Sequence, residues 1–350
     1  MLEDRVFSAV KNTKAALEKR HRAHWIFAFS GGKDSTAALK VCLRAYRDAT
    51  AKPKRMTLIY CDTGVENPVL DLYVKELLDR MSVELRDTAI PLEIRCLKAP
   101  VEDRFFVRLI GRGYPPPTNS FRWCTTGLRI RPVSRFIQGN DPNDTVVVLG
   151  LRQSESQQRD RSLAKSGDRY WQKQREGAGD YDLFLPIVDM DVPEVCDAVF
   201  ALPIPSSINP RKLEVLYRDA SGECPVIKAP NAPPCASGRF GCWTCTVVRK
   251  DKSAIQLIDS GYKKLEPFLK FRDWLSDIRN DPEKRWPERR NGSPGMGPFT
   301  IDARREILDR VNLLEAETRT NILDSDERGL IASLWNFDQT PRLAFPKRGP

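Results

Sequence analysis

The stretch "FAFSGGKDST", Phe27 to Thr36, carries most of what decides the fold. It leaves an apolar run, "WIFAF" (25–29), turns through two glycines, and enters residues that favour a helix from near Thr36. Strand, compact Ser-Gly-Gly-Lys-Asp-Ser turn and helix together make an anion cradle. Glycines admit close backbone approach, N–H groups at a helix start face the anion, and Ser30, Ser35 and Thr36 add hydroxyls. Lys33 adds positive charge. Spacing excludes two other cradles. G-x-x-x-x-G-K-[ST] would need glycine where Phe27 stands and a hydroxyl where Asp34 stands, and no G-x-G-x-x-G is present.

Outward from this turn, three more apolar segments read as strands: "MTLIY" (56–60), "LEIRCL" (92–97) and "TVVVL" (145–149). Such continuous runs suit parallel strands covered on both faces. Helical patterns lie between them, one with Leu70, Tyr73, Val74, Leu77, Leu78 and Met81 on a single face. The alternation predicts an α/β fold, an open, mostly parallel sheet with helices on both faces. "SGGKDST", "CDTGVENP", "KAPVED" and "GLRQSESQQR" each follow one strand, the end where such sheets bind ligands, so one site is expected to collect all four.

Beyond about residue 200, Pro-, Ser- and Asn-rich segments replace this alternation. Three parts are expected: 1–200 for the sheet, 201–250 for a cysteine-rich segment, and 251–350 for a helical, basic C-terminal region. Helical patterns run from about Ser253 to Ile278, with Ile255, Ile258, Tyr262 and Leu265 in register, and from Arg304 to Glu317. "RNDPEKRWPERRNGSPGMGP" between them reads as a long basic loop.

The formal charge of +10 points to an anionic partner, and its placement is uneven. Between Arg104 and Arg175 there are 14 Lys or Arg against 5 Asp or Glu, interleaved with Phe105, Phe106, Tyr114, Phe121, Trp123, Tyr170 and Trp171. Cations beside stacking faces suit a nucleic acid, and a solvated surface with pockets for nucleotide phosphates is the plainer alternative. No apolar run approaches the roughly 18 to 20 residues of a membrane span. The first 25 residues lack the apolar core of a signal peptide, so no membrane association and a cytoplasmic location are expected.

Nine cysteines are then unlikely disulfide partners. Cys42, Cys96 and Cys196 sit in apolar surroundings and read as inert core thiols. Cys235, Cys242 and Cys245, spaced C-x6-C-x2-C in "CASGRFGCWTC", suggest a metal or cluster site. Zinc and iron–sulfur both accept four thiolates. Cys224 is nearest in sequence as a fourth ligand; Cys124 lies far away in sequence.

The turn closely resembles the PP-loop of the ATP pyrophosphatase superfamily, S-G-G-x-D-S, whose members cut ATP between its α and β phosphates. "CDTGVENP", "GLRQSESQQR" and "RWCTTGLRIRP" resemble further elements of its PAPS reductase-like branch. The resemblance implies an adenine nucleotide α-hydrolase-like fold, with ATP bound through Ser30, Gly31, Gly32, Lys33, Asp34, Ser35 and Thr36, and Mg2+ bridging the ATP phosphates is expected by analogy with other phosphoryl chemistry. Asp62, Thr63 and Gly64 would line the adenosine pocket; Gly150, Arg152, Glu155 and Arg159 would bind a second anion. Lys33, Asp34 and Arg152 become the candidate catalytic residues. The reductases themselves use a reactive cysteine near the C-terminus, whereas here 105 residues follow the last cysteine, Cys245.

Residues from about 25 to 275, above all "LYRDASGECPVIKAPNAPPCASGRFGCWTCTVV" with "RWCT", are similar to the sulfurtransferase family of bacterial DNA phosphorothioation, DndC and SspD. That resemblance implies a [4Fe–4S] cluster on Cys124, Cys235, Cys242 and Cys245. It also implies DNA as substrate, a cysteine desulfurase as sulfur donor, and other DNA phosphorothioation proteins as partners. Alternatives are a tRNA thiolation enzyme, a PAPS or APS reductase-like enzyme, and a non-enzymatic zinc-containing nucleic-acid-binding protein.

Overall fold

The computed structural model describes residues 4–153, 169–174, 181–221 and 240–339. The four apolar segments are strands: β1 (His24–Phe29), β2 (Arg55–Asp62), β3 (Leu92–Lys98) and β4 (Thr145–Val148). With β5 (Trp171–Gln174) and β6 (Tyr181–Phe184) they form a six-stranded sheet of order β3-β2-β1-β4-β6-β5 among the described residues. Every pairing is parallel except that of β5, which runs antiparallel to β6 at one edge. The expected open α/β sheet is what the chain forms. β5 and β6 lack the continuous apolar run of the others: Asp182 interrupts β6 and pairs with Arg20 and Lys173.

Among the described residues the α-helices are α1 (Asp4–Lys19), α2 (Lys33–Asp48), α3 (Pro68–Arg86), α4 (Trp123–Thr125), α5 (Arg131–Gln138), α6 (Val192–Ala201), α7 (Pro210–Ser221), α8 (Lys252–Asp259), α9 (Glu266–Ile278), α10 (Ile301–Thr318) and α11 (Ser325–Gln339). Strand pleating divides β1 between two cores. Trp25, Phe27 and Phe29 join the core that holds α1, α2, α3, α6 and α7, while Ile26 faces Ile59, Val147 and Ile137 of α5. Burial on both faces is why β1 reads as unbroken apolar sequence. Pro68 and the cap Asn67, whose Oδ1 accepts from the Val69 N–H at 3.0 Å, start α3, and its six-residue apolar face is buried.

β3 departs from expectation. It is an edge strand in which only Leu92 is fully buried, and Cys96 is exposed rather than a core thiol. Cys42 is buried in α2, where burial pushes its thiol far up, and Cys196 is half-buried on α6.

A second core lies beyond the carboxyl ends of the strands. Phe105, Phe106, Leu109, Ile110 and Trp123 pack there with Trp243, with Phe271 and Leu275 of α9, and with Ile307 and Val311 of α10. The C-terminal region is helical, but the pattern from Ser253 to Ile278 is two helices, because the chain breaks at Gly261, φ +105°. Ile255 is exposed while Ile258 and Leu265 are buried. The basic loop is pinned rather than free: buried Arg285 donates to the carbonyls of Gly297 and Arg279, each at 2.6 Å. No helix among the described residues is long and apolar enough to cross a membrane.

Candidate active site

β1 and β2 end side by side at the middle of the sheet, and the loops after them build the site. In Ser30–Thr36 the two serines close the turn on itself: Ser30 Oγ lies 3.1 Å from Ser35 Oγ, which donates to the Gly32 carbonyl at 3.0 Å. Gly31 is left-handed, φ +73°, and an added Cβ would lie 2.1 Å from Val74 of α3, so glycine is required on both counts. α2 begins at Lys33, three residues before the expected start, and its first N–H groups border the turn. Thr36 is fully buried and its hydroxyl finds no partner among the described residues, so it does not sit on the turn's outer surface with Ser30.

Asp34 gathers the charges. One carboxylate oxygen accepts from Lys33 Nζ at 2.9 Å, the other from Arg152 Nε at 2.6 Å. Arg152 follows β4 and is 7% exposed. Gly150 makes that approach possible, since a Cβ there would lie 2.7 Å from the Asp34 carbonyl. The first and fourth loops therefore touch, as the shared-site expectation requires. Glu155 and Arg159 lie outside the described residues.

Tyr217 of α7 has no local sequence signal but reaches the same turn. Its hydroxyl accepts from the Lys33 N–H at 3.1 Å, and Lys33 Nζ stands 5.4 Å from the ring centroid. Burial raises the Tyr217 phenol, keeping it protonated.

In the second loop Asp62 is 7% exposed, accepts from the Gly64 N–H at 2.9 Å, and has Lys75 and Lys98 each at 3.6 Å. Thr63 donates to Glu66 at 3.1 Å, and Arg129 donates to the same Glu66 oxygen at 2.8 Å. Gly64 is left-handed, φ +71°. In the third loop Asp103 holds Arg131 and Arg108. Burial pushes its carboxyl up, and the hydrogen bonds of the two guanidiniums more than reverse this, leaving it below the usual carboxylate range. Arg129 and Arg131 are thus ion-paired rather than free surface charge. Much of the basic excess between Arg104 and Arg175 is neutralised in this way, and Phe105, Phe106 and Trp123 are core residues.

The thiol segment is sewn to the second loop. Cys242 forms an antiparallel bridge with Glu66, and the Trp243 N–H donates to the Val65 carbonyl at 3.0 Å. The Cys245 N–H donates to the Cys242 carbonyl at 2.9 Å, closing a backbone turn between the two cysteines. Cys124, at the centre of α4, is within electrostatic reach of both. Burial raises the thiols of Cys124 and Cys242, most strongly at Cys242. Cys61 is pushed up to about 11, first by burial, as suits a thiol that stays protonated. Cys224 and Cys235 lie outside the described residues. Among the described residues, no group of three or more His, Cys, Asp or Glu side chains is arranged to hold a metal ion. The donors suit a thiolate-bound metal or cluster in chemical type, but three thiols do not close a ligand set by themselves.

A curated Methanocaldococcus jannaschii protein described as uncharacterized is 26% identical over 147 residues, which span 42% of this chain and 26% of that relative. Candida glabrata FMN adenylyltransferase with FAD and inorganic pyrophosphate aligns over 88% of this chain and 82% of its own, at 13% identity and a TM-score of 0.37. Its ATP complex aligns at 13% identity and a TM-score of 0.38, over 88% of this chain and 80% of its own. The family model for the phosphoadenosine phosphosulfate reductase domain matches residues 24–247, from the start of β1 to just past Cys245. With the Ser30–Thr36 turn between β1 and α2, the chain belongs to the phosphoadenosine phosphosulfate reductase domain family.

Proposed function

We propose that this chain is a DNA phosphorothioation sulfurtransferase, which activates a DNA backbone phosphate with ATP so that sulfur replaces a non-bridging oxygen. The observation that carries the reading is the seam between Glu66 and Cys242, which sets the thiol segment against a loop at the nucleotide end of the sheet. Sulfur chemistry and phosphate activation then share one mouth.

ATP enters as its Mg2+ complex and lies along Ser30 to Thr36. A non-bridging oxygen of the DNA phosphate attacks the α-phosphorus. The bond between that phosphorus and the α–β bridging oxygen breaks, and pyrophosphate leaves. Lys33, Arg152 and the N–H groups at the start of α2 stabilise charge building on the phosphoryl oxygens, with Asp34 fixing both cations. Sulfide then attacks the DNA phosphorus, and AMP departs with the displaced oxygen. Sulfur keeps its oxidation state, so the exchange consumes no electrons. Asp62, Thr63 and Gly64 would take the adenosine, and Glu155 and Arg159 would assist at the second anion. A [4Fe–4S] cluster, when bound, would be held by Cys124, Cys235, Cys242 and Cys245 and would supply sulfur or a fixed scaffold. A cysteine desulfurase and other DNA phosphorothioation proteins would be the partners, in the cytoplasm.

A second reading, reduction of a sulfonucleotide, is favoured by the family match. It would take two electrons from an external dithiol reductant and release sulfite and adenosine 3′,5′-bisphosphate from PAPS, without consuming ATP. The decisive measurement is mass spectrometry of nuclease-digested host DNA, with the gene intact, deleted and restored. Phosphorothioate dinucleotides should vanish on deletion and return with the wild-type gene but not with Cys245→Ser. Their absence from the intact strain while the gene is expressed would defeat the DNA reading.

A further inference from the structure

Among the aromatics of the basic stretch, Phe121 alone stays exposed, at 42%, while Phe105, Phe106 and Trp123 are core. It stacks on Tyr114, ring centroids 6.1 Å apart and planes 10° from parallel. The intervening chain is rigid: Pro115, Pro116 and Pro117 restrict the backbone, Trp123 Nε1 donates to the Pro115 carbonyl at 2.9 Å, and Thr246 Oγ1 donates to that of Pro117 at 2.8 Å. From the C-terminal loop, Arg290 reaches back to the Arg112 carbonyl and lies 5.7 Å from the Tyr114 centroid. Arg122 is exposed and donates to Asn119 at 2.7 Å. Among the described residues, neither Arg122 nor Arg290 forms an ion pair with a carboxylate, unlike Arg104, Arg108, Arg129 and Arg131.

We propose that the Phe121–Tyr114 stack, flanked by Arg122 and Arg290, is the surface on which an unpaired DNA nucleotide stacks while its neighbouring phosphates meet the two guanidiniums. The inference rests on the DNA reading above and adds where the strand lies and in what state. A base inside a duplex has both faces covered, so an exposed ring rewards only one that has left its stack. Positive charge that no carboxylate among the described residues pairs suits a polyanion. Cys124 stands two residues beyond Arg122, so a strand held here runs beside the thiols.

The test is fluorescence anisotropy of a labelled oligodeoxynucleotide, single-stranded and fully paired, against wild type, Phe121→Ala, Phe121→Leu and Arg122→Ala. ATP-induced thermal stabilisation serves as an independent control. Wild type should prefer the single strand. Phe121→Ala should weaken it by about tenfold, with Phe121→Leu restoring little, because stacking needs the ring. Arg122→Ala should make the slope of log affinity against log salt shallower by about 0.7. ATP stabilisation should not change. Wild-type affinity in all three variants would overturn this surface while leaving DNA sulfuration standing. No DNA binding by the wild type would overturn both. Tighter, Phe121-dependent binding of the corresponding RNA would overturn DNA as the occupant.

Discussion

At the scale of single residues the site depends on what cannot be added. Gly150 sits against the Asp34 backbone with no room for a methyl group, and the obstacle is main chain, which has no rotamer to give. Gly150→Ala should push Arg152 off Asp34 and reduce ATP-dependent pyrophosphate release by about 100-fold or more, as a displacement near 1 Å can. Near-normal release would mean that the two loops need not touch during turnover. Gly150 and Arg152 were legible because they follow an apolar strand in a recognisable string, and Ser30 to Thr36 because they are contiguous. Tyr217 and Glu66 were not legible as contacts. Tyr217 reaches Lys33 across 184 positions, and Glu66 meets Cys242 across a gap that no periodicity spans.

At the scale of elements, two-sided burial made β1, β2 and β4 readable, while β5 and β6, short and near an edge, carry mixed sequence. The break at Gly261 escaped the helical period because the register of Ile258 and Leu265 survives it. α2 holds a cost of its own. Lys40 is 2% exposed, donates to the Leu202 carbonyl after α6 at 2.6 Å, and burial pushes its ammonium down to about 8. The unfolded chain holds that proton to about pH 10.5. At neutral pH both states are charged and folding bears the desolvation; between about 8 and 10.5 the unfolded chain binds more protons, so this contribution to stability rises with pH. Lys40→Met should stabilise the protein at pH 7 by about 1–2 kcal/mol, the lost carbonyl hydrogen bond offsetting part of the gain. The advantage should shrink by pH 10, and urea unfolding of both proteins at pH 7, 9 and 10 measures it.

Across the whole molecule, the thiol segment is held from two sides, by the second loop and by α9. Arg272 of α9 is 1% exposed and donates to the carbonyls of Cys245, at 2.9 Å, Arg249, at 3.1 Å, and Val248. Removing it leaves those carbonyls without their charged donor. Arg272→Ala should cost about 3 kcal/mol or more, seen as a lower melting temperature, and should speed alkylation of Cys245 well below that temperature. Unchanged alkylation would mean that the seam with Glu66 holds the segment unaided. That seam has a thermodynamic corollary. If seating ATP beside the second loop shifts the Glu66–Cys242 pairing, the affinity of any reversible thiol ligand changes by some factor, and that ligand must change the affinity for ATP by the same factor. The fuel and the sulfur-handling end would then each report the other's occupancy, with no separate sensor.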